Sequence, residues 1–455
     1  MMTLTLSEIA SAVGGTLVGN GEKVICGVST DSRKIETEQL FVALRGERFD
    51  GHDFIPQLEG KCAAVLTEEE APGFDAVKVP DTLKALGQLS AYWKNKVSPK
   101  VTVGVTGSVG KTTTKELIAL VLKGKYKTHL TAGNLNNHIG VPITLIRIEK
   151  NTEAVVCEMG MSGKGEIEYL TGLVRPNLAV ITNIGTSHME LLGSREGILE
   201  AKLEILSGME KGSTIILDGD EPLFRSEKVQ EKLSDFNVIY TGFHSGNDIY
   251  PLDIYKGKDH ISFDVVAKGK DFRVTVPAVG DHFIKNTLFA VAVGLCGGVE
   301  EKSIQDGILS YSPCGLRQKI YEKNGIRIIA DCYNASPESM EAALKVLRSS
   351  EGRKIAVLGD MLELGGMAPD AHRKVGNLAA ECETEKLFAY GKVSYHTMLG
   401  AVEGGMKKSD AINSIDSAQL TELLKKTLQP GDTVLFKASR KMKLEEIIAS
   451  CGLSE

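Results

Sequence analysis

A glycine-rich loop that ends in Gly-Lys-Thr is the strongest chemical signal in the chain. Residues 104–113 read GVTGSVGKTT and follow the apolar run VTVGV. Glycines let backbone amides turn toward phosphate oxygens, and the N-terminus of a following helix adds partial positive charge. The lysine of such a loop reaches the terminal phosphates, and the next hydroxyl ligates Mg²⁺. The loop predicts a nucleotide triphosphate site at Gly107, Ser108, Val109, Gly110, Lys111, Thr112 and Thr113, although Val105 stands where the first glycine is usual.

A carboxylate and an imidazole follow two further apolar runs. Glu158 comes directly after residues 154–157, and His188 comes after LAVITNIG. Because the carboxyl ends of parallel strands converge on one crevice, we expect both side chains near the phosphate loop. Together they could hold a second Mg²⁺, although Mg²⁺ prefers oxygen ligands and a histidine ligand is unusual. The alternative is that each is a strand-end residue bonded to a loop.

Lys202 lies inside the apolar stripe of a predicted helix over residues 196–209. The stripe is formed by Ile198, Leu199, Leu203 and Leu206. A lysine in this position can extend its ammonium group to water while its stem packs on the stripe. Alternatively, partial burial lowers the pKa of the amine and makes its neutral form available for chemistry.

The elements that must position these residues follow an α/β pattern. Between about 100 and 313, β-branched runs (VTVGVTG, AVVCEMG, LAVITNIG and STIILDGD) alternate with helical patterns, which is typical of a parallel sheet covered by helices. The pattern restarts beyond 313 with IRIIAD, KIAVLGD, KLFAYG and DTVLFKAS, and Ser336 before Pro337 predicts a capped helix start. An amphipathic helix is predicted over 82–96.

Length and composition complete this picture. The 455 residues are three times the roughly 150 of an average domain, so we predict three α/β domains with boundaries at 1–97, 98–313 and 314–455. The formal net charge of −6 argues against nucleic acid as the main partner. No apolar run approaches the ~20 residues of a membrane span, and no basic residue precedes Lys23 as in a secretory signal. Eight cysteines without a C-x-x-C pair favour a reducing compartment, so we expect a cytoplasmic protein without membrane insertion.

Taken together, the motifs resemble those of the Mur ligases, the ATP-dependent amide-forming enzymes of bacterial cell-wall synthesis. The resemblance covers nearly the whole chain and rests on the segments TGSVGKTTTKE, TAGNLNNHIGVP, EMGMSGKGEI, TNIGTSHMELLGS, AKLEI, GDHFIKN, LRQ at 316–318, DCYNASPESM and GDMLELG. It implies a small α/β N-terminal domain that binds the uridine diphosphate substrate. It also implies a central P-loop ATPase domain and a Rossmann-like C-terminal domain that closes on ATP.

The same resemblance implies roles for the ATP and metal residues. Two Mg²⁺ ions would be held by Thr112, Glu158, His188 and Lys202. In several family members the lysine that matches Lys202 is carbamylated, and the carbamate supplies an anionic metal ligand. Lys111, His188 and Lys202 are therefore the expected catalytic residues. Contacts to ATP outside the loop are expected from Asn286, which would face the adenine, and from Arg317 and Asp331.

Substrate roles carry over by motif as well. The uridine diphosphate end matches Ser29, Asp31, Ser32, Arg33, Gly46, Arg48 and Asp50. Without the resemblance these would be interpreted as solvated loop residues. Asn134 and Asn137 match positions near the sugar-peptide or the γ-phosphate. Tyr333 and Asn334 match the segment associated with the incoming dipeptide, whereas Ser336 stands where members often have asparagine and is explained by helix capping.

The last two motifs in chain order are the most specific to the member that adds D-alanyl-D-alanine to UDP-N-acetylmuramoyl-tripeptide, and this is the activity we expect, in a monomer. Two alternatives stay open at this point. A sister ligase would add another amino acid, and a mechanical P-loop ATPase would hydrolyse ATP without any amine acceptor. A GTPase is disfavoured because the only Asn-Lys pair, Asn95-Lys96, continues with Val-Ser and not with x-Asp.

Overall fold

The computed structural model of the chain describes residues 1–267, 269–313 and 315–455. Its larger sheets are mostly parallel and are covered by helices, which confirms the predicted α/β class with three regions. None of the helices in these ranges is both long and apolar enough to cross a bilayer. The predicted boundaries near 97 and 313 remain predictions, and Cys314 at the second boundary lies outside the described residues.

The N-terminal region is a small five-stranded sheet with two helices. Its strand order is β2-β7-β6-β5-β4, parallel except at β2, and β1 pairs separately with β3. Asp81 caps α2 by accepting a hydrogen bond from the Lys84 amide at 2.9 Å, so this helix begins where the sequence predicts. The elements are β1 (Thr3–Thr5), α1 (Leu6–Val13), β2 (Thr16–Val18), β3 (Val24–Cys26), β4 (Val28–Ser29), β5 (Leu40–Val42), a 3₁₀ helix (Gly51–Leu58), β6 (Ala64–Thr67), β7 (Ala76–Lys78) and α2 (Thr82–Val97).

The central region holds a nine-stranded sheet of order β16-β15-β14-β13-β12-β11-β8-β10-β9. The predicted parallel strands are confirmed, and β14 to β16 extend the sheet antiparallel, which the sequence analysis did not predict. The strands are β8 (Val101–Thr106), β9 (Thr128–Leu130), β10 (Ala154–Glu158), β11 (Leu178–Ile181), β12 (Thr214–Asp218), β13 (Asn237–Thr241), β14 (Ile249–Lys256), β15 (Ile261–Ala267) and β16 (Lys270–Val276).

Helices cover this sheet and bury β8 and β10 completely. They are α3 (Lys111–Leu122), α4 (Gly140–Ile146), α5 (Glu166–Val174), α6 (Met189–Leu192), α7 (Arg195–Leu203), α8 (Glu227–Leu233), α9 (Asp281–Cys296) and α10 (Glu301–Leu309), with 3₁₀ segments at Glu204–Gly208 and Pro222–Arg225. The helix predicted over 196–209 is therefore shorter than expected, because its last turn is a 3₁₀ helix.

The C-terminal region is a six-stranded sheet of order β17-β18-β22-β19-β20-β21, parallel except at β17. Ser336 caps α11 in a reciprocal box with Ser339, which confirms the predicted helix start. The elements are β17 (Lys319–Lys323), β18 (Ile326–Asp331), α11 (Pro337–Arg348), β19 (Arg353–Gly359), α12 (Ala368–Glu381), β20 (Lys386–Tyr390), α13 (Tyr395–Glu403), β21 (Ala411–Ser414), α14 (Ser417–Thr427), β22 (Asp432–Lys437) and α15 (Leu444–Ser450), with 3₁₀ turns at Gly365–Met367 and Arg440–Met442.

Candidate active site

The phosphate loop connects the end of β8 to the first residue of α3. Two of its glycines have positive φ, +146° at Gly107 and +81° at Gly110. A Cβ at Gly107 would lie 1.9 Å from the Thr182 hydroxyl oxygen, so no larger residue fits there. This close approach gives a physical reason for the glycine at 107, two residues after Val105, which stands where the common pattern has its first glycine.

A second segment, residues 182–185 after β11, braces the loop from behind. The Asn183 side-chain oxygen accepts hydrogen bonds from the amides of Ser108 (3.0 Å) and Val109 (2.9 Å). Thr182 donates to the Val109 carbonyl at 2.6 Å, and the Gly185 amide donates to the Ser108 hydroxyl at 2.9 Å. This segment lies in the motif TNIGTSHMELLGS, but no role was predicted for Thr182 or Asn183.

Glu158 is the last residue of β10 and the centre of a buried polar cluster. One of its carboxylate oxygens accepts from the Thr112 hydroxyl at 2.8 Å, and the other accepts from the side-chain Nδ2 of Asn136 at 2.8 Å. The ammonium group of Lys115 lies 3.5 Å from the first oxygen. The expected proximity of Glu158 to the phosphate loop is therefore present, whereas Asn136 and Lys115 were missed.

Two lysines, Lys111 and Lys202, lie close enough to each other for their charges to interact. Burial lowers the pKa of Lys111, although the carboxylate of Glu158 opposes this shift. Its ammonium group donates to the carbonyls of Gly107 (2.7 Å) and Ser108 (3.2 Å). Burial, reinforced by the charge of Lys111, lowers the pKa of Lys202 well below its ordinary value. Lys202 is only 1% exposed, so the alternative in which its amine extends to water is wrong.

His188 lies at the start of α6 with a left-handed backbone, φ +64°. Its Nδ1 is 3.2 Å from a carboxylate oxygen of Glu363 in the C-terminal region. Among the described residues, the hydrogen bonds and ion pairs do not join His188 to Glu158 or Lys202. The expectation that these three share metal ions stays a prediction.

The oxygen donors beside the phosphate loop show whether this site suits a metal ion. The described residues contain no cluster of three His, Cys, Asp or Glu side chains that could hold an ion alone. Mg²⁺ typically takes one or two protein oxygens and completes its shell with substrate phosphates and water. Thr112 and Glu158, in contact beside the phosphate loop, fit that mode.

Residues of the C-terminal region line the other side of the loop. The guanidinium of Arg317 stacks on the Tyr333 ring at 3.7 Å, and its charge contributes to the lowered pKa of Lys111. The Lys437 ammonium pairs with Asp331 at 2.5 Å and donates to the Asn334 carbonyl at 3.1 Å. Of the predicted residues, Arg317 is therefore close enough to Lys111 for their charges to interact, Tyr333 contacts Arg317, and Asp331 is paired with Lys437 within the C-terminal region.

Asn286, predicted to face the adenine, is buried on α9 behind the phosphate loop. It accepts a hydrogen bond from Thr114 at 3.2 Å, and a Cβ at Gly110 would lie 2.8 Å from its side-chain oxygen. Thr113 follows in the first turn of α3. The structure thus places Asn286 at the loop, while its contact with adenine stays a prediction.

The predicted uridine diphosphate residues fall on two loops of the N-terminal sheet. Arg33 forms a two-point ion pair with Asp31 (both contacts 2.9 Å), beside Ser29 and Ser32. Arg48 is exposed in the tight loop in which the Gly46 amide donates to the Phe49 carbonyl. Asp50 caps the 3₁₀ helix and pairs with Arg45. These contacts give Asp50 a structural role that does not require substrate.

Asn134 and Asn137 lie on the loop that precedes α4. Asn134 is exposed, and its carbonyl accepts from the Asn136 amide at 2.7 Å. The Asn137 side-chain oxygen accepts from the backbone amide of Gly140, the first residue of α4, at 2.9 Å. Their proximity to substrate stays a prediction, and Asn136 between them is the residue that reaches Glu158.

Comparison with known proteins bears on the same arrangement. Three domain models of one family match the chain: the Mur ligase family catalytic domain over 24–94, the Mur ligase middle domain over 105–294, and the Mur ligase glutamate ligase domain over 317–440. Together they span most of the sequence in chain order.

Similar proteins match over almost the full length. The chain is 42% identical to the UDP-N-acetylmuramoyl-tripeptide–D-alanyl-D-alanine ligase of Bacillus subtilis (strain 168), with 98% of each protein covered. It is similar to a crystal structure of MurF from Acinetobacter baumannii, with a TM-score of 0.92, 30% identity and 99% of each chain covered. It is also similar to MurF ligase from Thermotoga maritima in complex with ADP, with a TM-score of 0.83, 28% identity, and 93% of this chain and 96% of that chain covered.

Proposed function

The chain belongs to the Mur ligase family, and from this premise we propose that it joins D-alanyl-D-alanine to UDP-N-acetylmuramoyl-tripeptide at the expense of ATP. The product is a peptidoglycan precursor. The choice of substrates is supported by the full-length likeness to the Bacillus subtilis ligase of that name. We further propose that the enzyme acts as a cytoplasmic monomer.

One observation carries the proposed chemistry: Thr112 contacts Glu158 beside the phosphate loop, the charge of Lys111 interacts with Glu158, and the charge of Lys111 also interacts with buried Lys202. Amide formation from a carboxylate requires an activated acyl group, and ATP supplies it as an acyl phosphate. The terminal carboxylate of the tripeptide attacks the γ-phosphorus and ADP leaves. The dipeptide amine then attacks the acyl carbon, phosphate leaves, and the amine loses a proton.

Both steps concentrate negative charge, and the residues of the site match this demand. Lys111 and the loop amides would stabilise the charge on the transferring phosphoryl group. Thr112 and Glu158, with His188, would hold Mg²⁺, which when bound neutralises phosphate charge. The backbone amides of Ser108 and Val109 already donate hydrogen bonds to the Asn183 side-chain oxygen. A phosphate that accepts from these two amides would have to replace Asn183, whereas a phosphate held by other loop amides would leave these bonds intact.

Lys202 is proposed to carry a carbamate. A neutral amine attacks CO₂ and releases a proton, and burial with a lowered pKa makes Lys202 suitable as that amine. The carbamate would add the carboxylate oxygens that the cluster otherwise lacks. The N-terminal loops at Ser29–Arg33 and Gly46–Asp50 are proposed to hold the uridine diphosphate.

The boundary with the C-terminal region is proposed to complete the site. Arg317 and Asp331 would contact ATP there, and Tyr333 and Asn334 would meet the dipeptide. An acyl phosphate hydrolyses in bulk water, so a C-terminal region that closes over the loop would protect the intermediate. The contact of Thr186 with Glu338 across this boundary supports such a closure.

The product mass tests the proposal. Purified protein is incubated with ATP, Mg²⁺, UDP-N-acetylmuramoyl-tripeptide and D-alanyl-D-alanine, and the nucleotide-linked product is analysed by mass spectrometry. We expect a mass increase of one dipeptide minus water. In a parallel reaction that contains a shorter UDP-linked precursor and a free amino acid, addition of that single amino acid would indicate a sister ligase. ATP turnover that does not depend on any amine acceptor would indicate an ATPase.

Lys202→Ala tests the carbamate. We expect a large loss of ligation that short-chain carboxylates restore in part, because they can occupy the space of the carbamate. Lys211→Ala removes an exposed lysine of the same region, with 81% of its side chain exposed, and serves as the control. Full activity of Lys202→Ala without added carboxylate would contradict the role.

A further inference from the structure

Lys115 is a buried charge to which the proposed chemistry assigns no role. It lies one helical turn beyond Lys111 on α3, and its side chain has no solvent exposure. A buried ammonium group is costly unless hydrogen bonds and opposite charges compensate it. Its position therefore needs a reason beyond helix formation.

The partners of Lys115 belong to three different segments. Its ammonium donates to the Gly133 carbonyl at 3.0 Å and lies 3.5 Å from Glu158 and 3.3 Å from Glu116. Glu158 is the proposed metal ligand, whereas Gly133 belongs to residues 131–137, which we call the asparagine loop. One positive charge thus bridges the nucleotide side of the site and this loop.

The asparagine loop is tied to Glu158 by further contacts. Asn136 donates to the second carboxylate oxygen at 2.8 Å, and the Thr131 hydroxyl accepts from the Glu158 amide at 3.0 Å. The Gly160 amide also donates to the Asn136 carbonyl at 2.8 Å. The loop is therefore joined to this one carboxylate through two side chains, Asn136 and Lys115.

We propose that Lys115 is a positioning residue that couples Mg²⁺-nucleotide binding to binding of the UDP-linked tripeptide at the asparagine loop. If Glu158 held Mg²⁺, its carboxylate would have less negative charge available to Lys115. The ammonium then depends more on the Gly133 carbonyl and Glu116, which holds the loop in place. Coupling of this kind is reciprocal, so bound tripeptide also favours nucleotide binding. The inference rests on the proposed function and on the predicted proximity of Asn134 and Asn137 in this loop to the UDP-linked tripeptide.

Equilibrium binding without turnover tests the coupling. The affinity for UDP-N-acetylmuramoyl-tripeptide is measured by calorimetry with and without Mg²⁺ and a non-hydrolysable ATP analogue. We expect the analogue to tighten tripeptide binding by about tenfold in the wild type, a typical allosteric coupling. In Lys115→Met, which keeps the stem and removes the charge, we expect this ratio to fall close to one. Lys123→Met, an exposed lysine directly after α3, should keep the wild-type ratio.

A second variant covers the case in which Lys115→Met does not fold. Asn136→Ala removes the other side-chain tie between the loop and Glu158, and we expect it to reduce the ratio in part and to speed amide hydrogen exchange at residues 131–137. An unchanged ratio in folded Lys115→Met, or in Asn136→Ala where the lysine variant is unfolded, would overturn the proposal. Absence of tripeptide binding by the wild type would instead contradict the proposed function.

Discussion

The central sheet has two neighbours, and it contacts them in different ways. The N-terminal region shares one continuous apolar cluster with the central region, which runs from Met2 to Tyr240. Trp93 on α2 is fully buried there, and its indole nitrogen donates to the Ile148 carbonyl at 3.0 Å. The two apolar clusters built around the C-terminal sheet are separate from it.

The C-terminal region contacts the central region through several polar groups, and Val279 of the central region also packs against one of the C-terminal apolar clusters. Glu338 accepts from the backbone amide (2.7 Å) and hydroxyl (2.8 Å) of Thr186, and the side-chain Nε2 of Gln318 donates to the Val279 carbonyl at 2.5 Å. Polar contacts can be exchanged for water when regions separate, whereas an apolar cluster cannot. The difference predicts that the N-terminal region is fixed on the central sheet and that the C-terminal region is the one that moves over the nucleotide.

Among the variants that test this difference between the two boundaries, Trp93→Ala should have the largest effect. Removal of a fully buried indole from the shared cluster should lower the free energy of unfolding by ~3–5 kcal/mol. Urea denaturation followed by circular dichroism measures the shift, and Tyr395→Ala, at 47% exposure, should change it little.

The wild type offers a second measurement at the same position, because Trp93 is the only tryptophan of the chain. If the N-terminal and central regions unfold together, the transition measured by tryptophan fluorescence should coincide with the loss of the helical circular dichroism signal. A fluorescence change at clearly lower urea concentration would contradict a fixed N-terminal region.

His282 gives a pH test at the polar boundary. Burial lowers its pKa to about 4, with Asp331 opposing and Lys437 adding to this shift. The unfolded histidine binds a proton below about 6.5 and the folded one only below about 4, so stability should fall as pH drops through this window. Because the His282 ring is partly exposed, we expect the free energy of unfolding to fall by no more than ~2 kcal/mol across this window. The pH dependence of unfolding should flatten in His282→Gln, whereas His244→Gln, at an exposed histidine, should retain it.

Glu338→Ala should weaken closure of the C-terminal region. The Thr186 amide and hydroxyl lose a charged acceptor, and we expect KM for ATP to rise by about tenfold. Glu338→Gln keeps one acceptor oxygen and should have a smaller effect. Scattering measurements with a bound ATP analogue should show a larger radius of gyration for the alanine variant. An unchanged radius and KM would show that this contact does not hold the regions together.

Arg33→Ala should have the smallest effect on the fold. Arg33 and Asp31 form an exposed pair, and such pairs contribute little to stability, so thermal unfolding should not shift measurably. If the loop holds the diphosphate, loss of the charge should raise KM for the UDP-linked substrate by about tenfold and leave KM for ATP unchanged. A changed melting temperature with unchanged KM values would reverse this interpretation.

Much of the scaffold could be predicted because hydrophobic patterning reflects local burial. The β-branched runs became β8, β10, β11 and β12, and Glu158 stands at the strand end where it was expected. The antiparallel strands β14 to β16 were missed, since alternating strands of this kind lack the apolar continuity of the buried ones. Lys115 and Asn183 were missed because their contacts join segments distant in the sequence.

By itself, the sequence determined the phosphate loop, the strand ends that carry the polar residues, and the order of three α/β regions, because these depend on spacing along a single chain segment. Only the tertiary structure decided that Lys202 is buried and not solvated, that Lys115 bridges Glu158 and Gly133, and that the C-terminal region contacts the central region through several polar groups. Desolvation and pairing depend on which distant segments surround a side chain, and no local pattern specifies those neighbours.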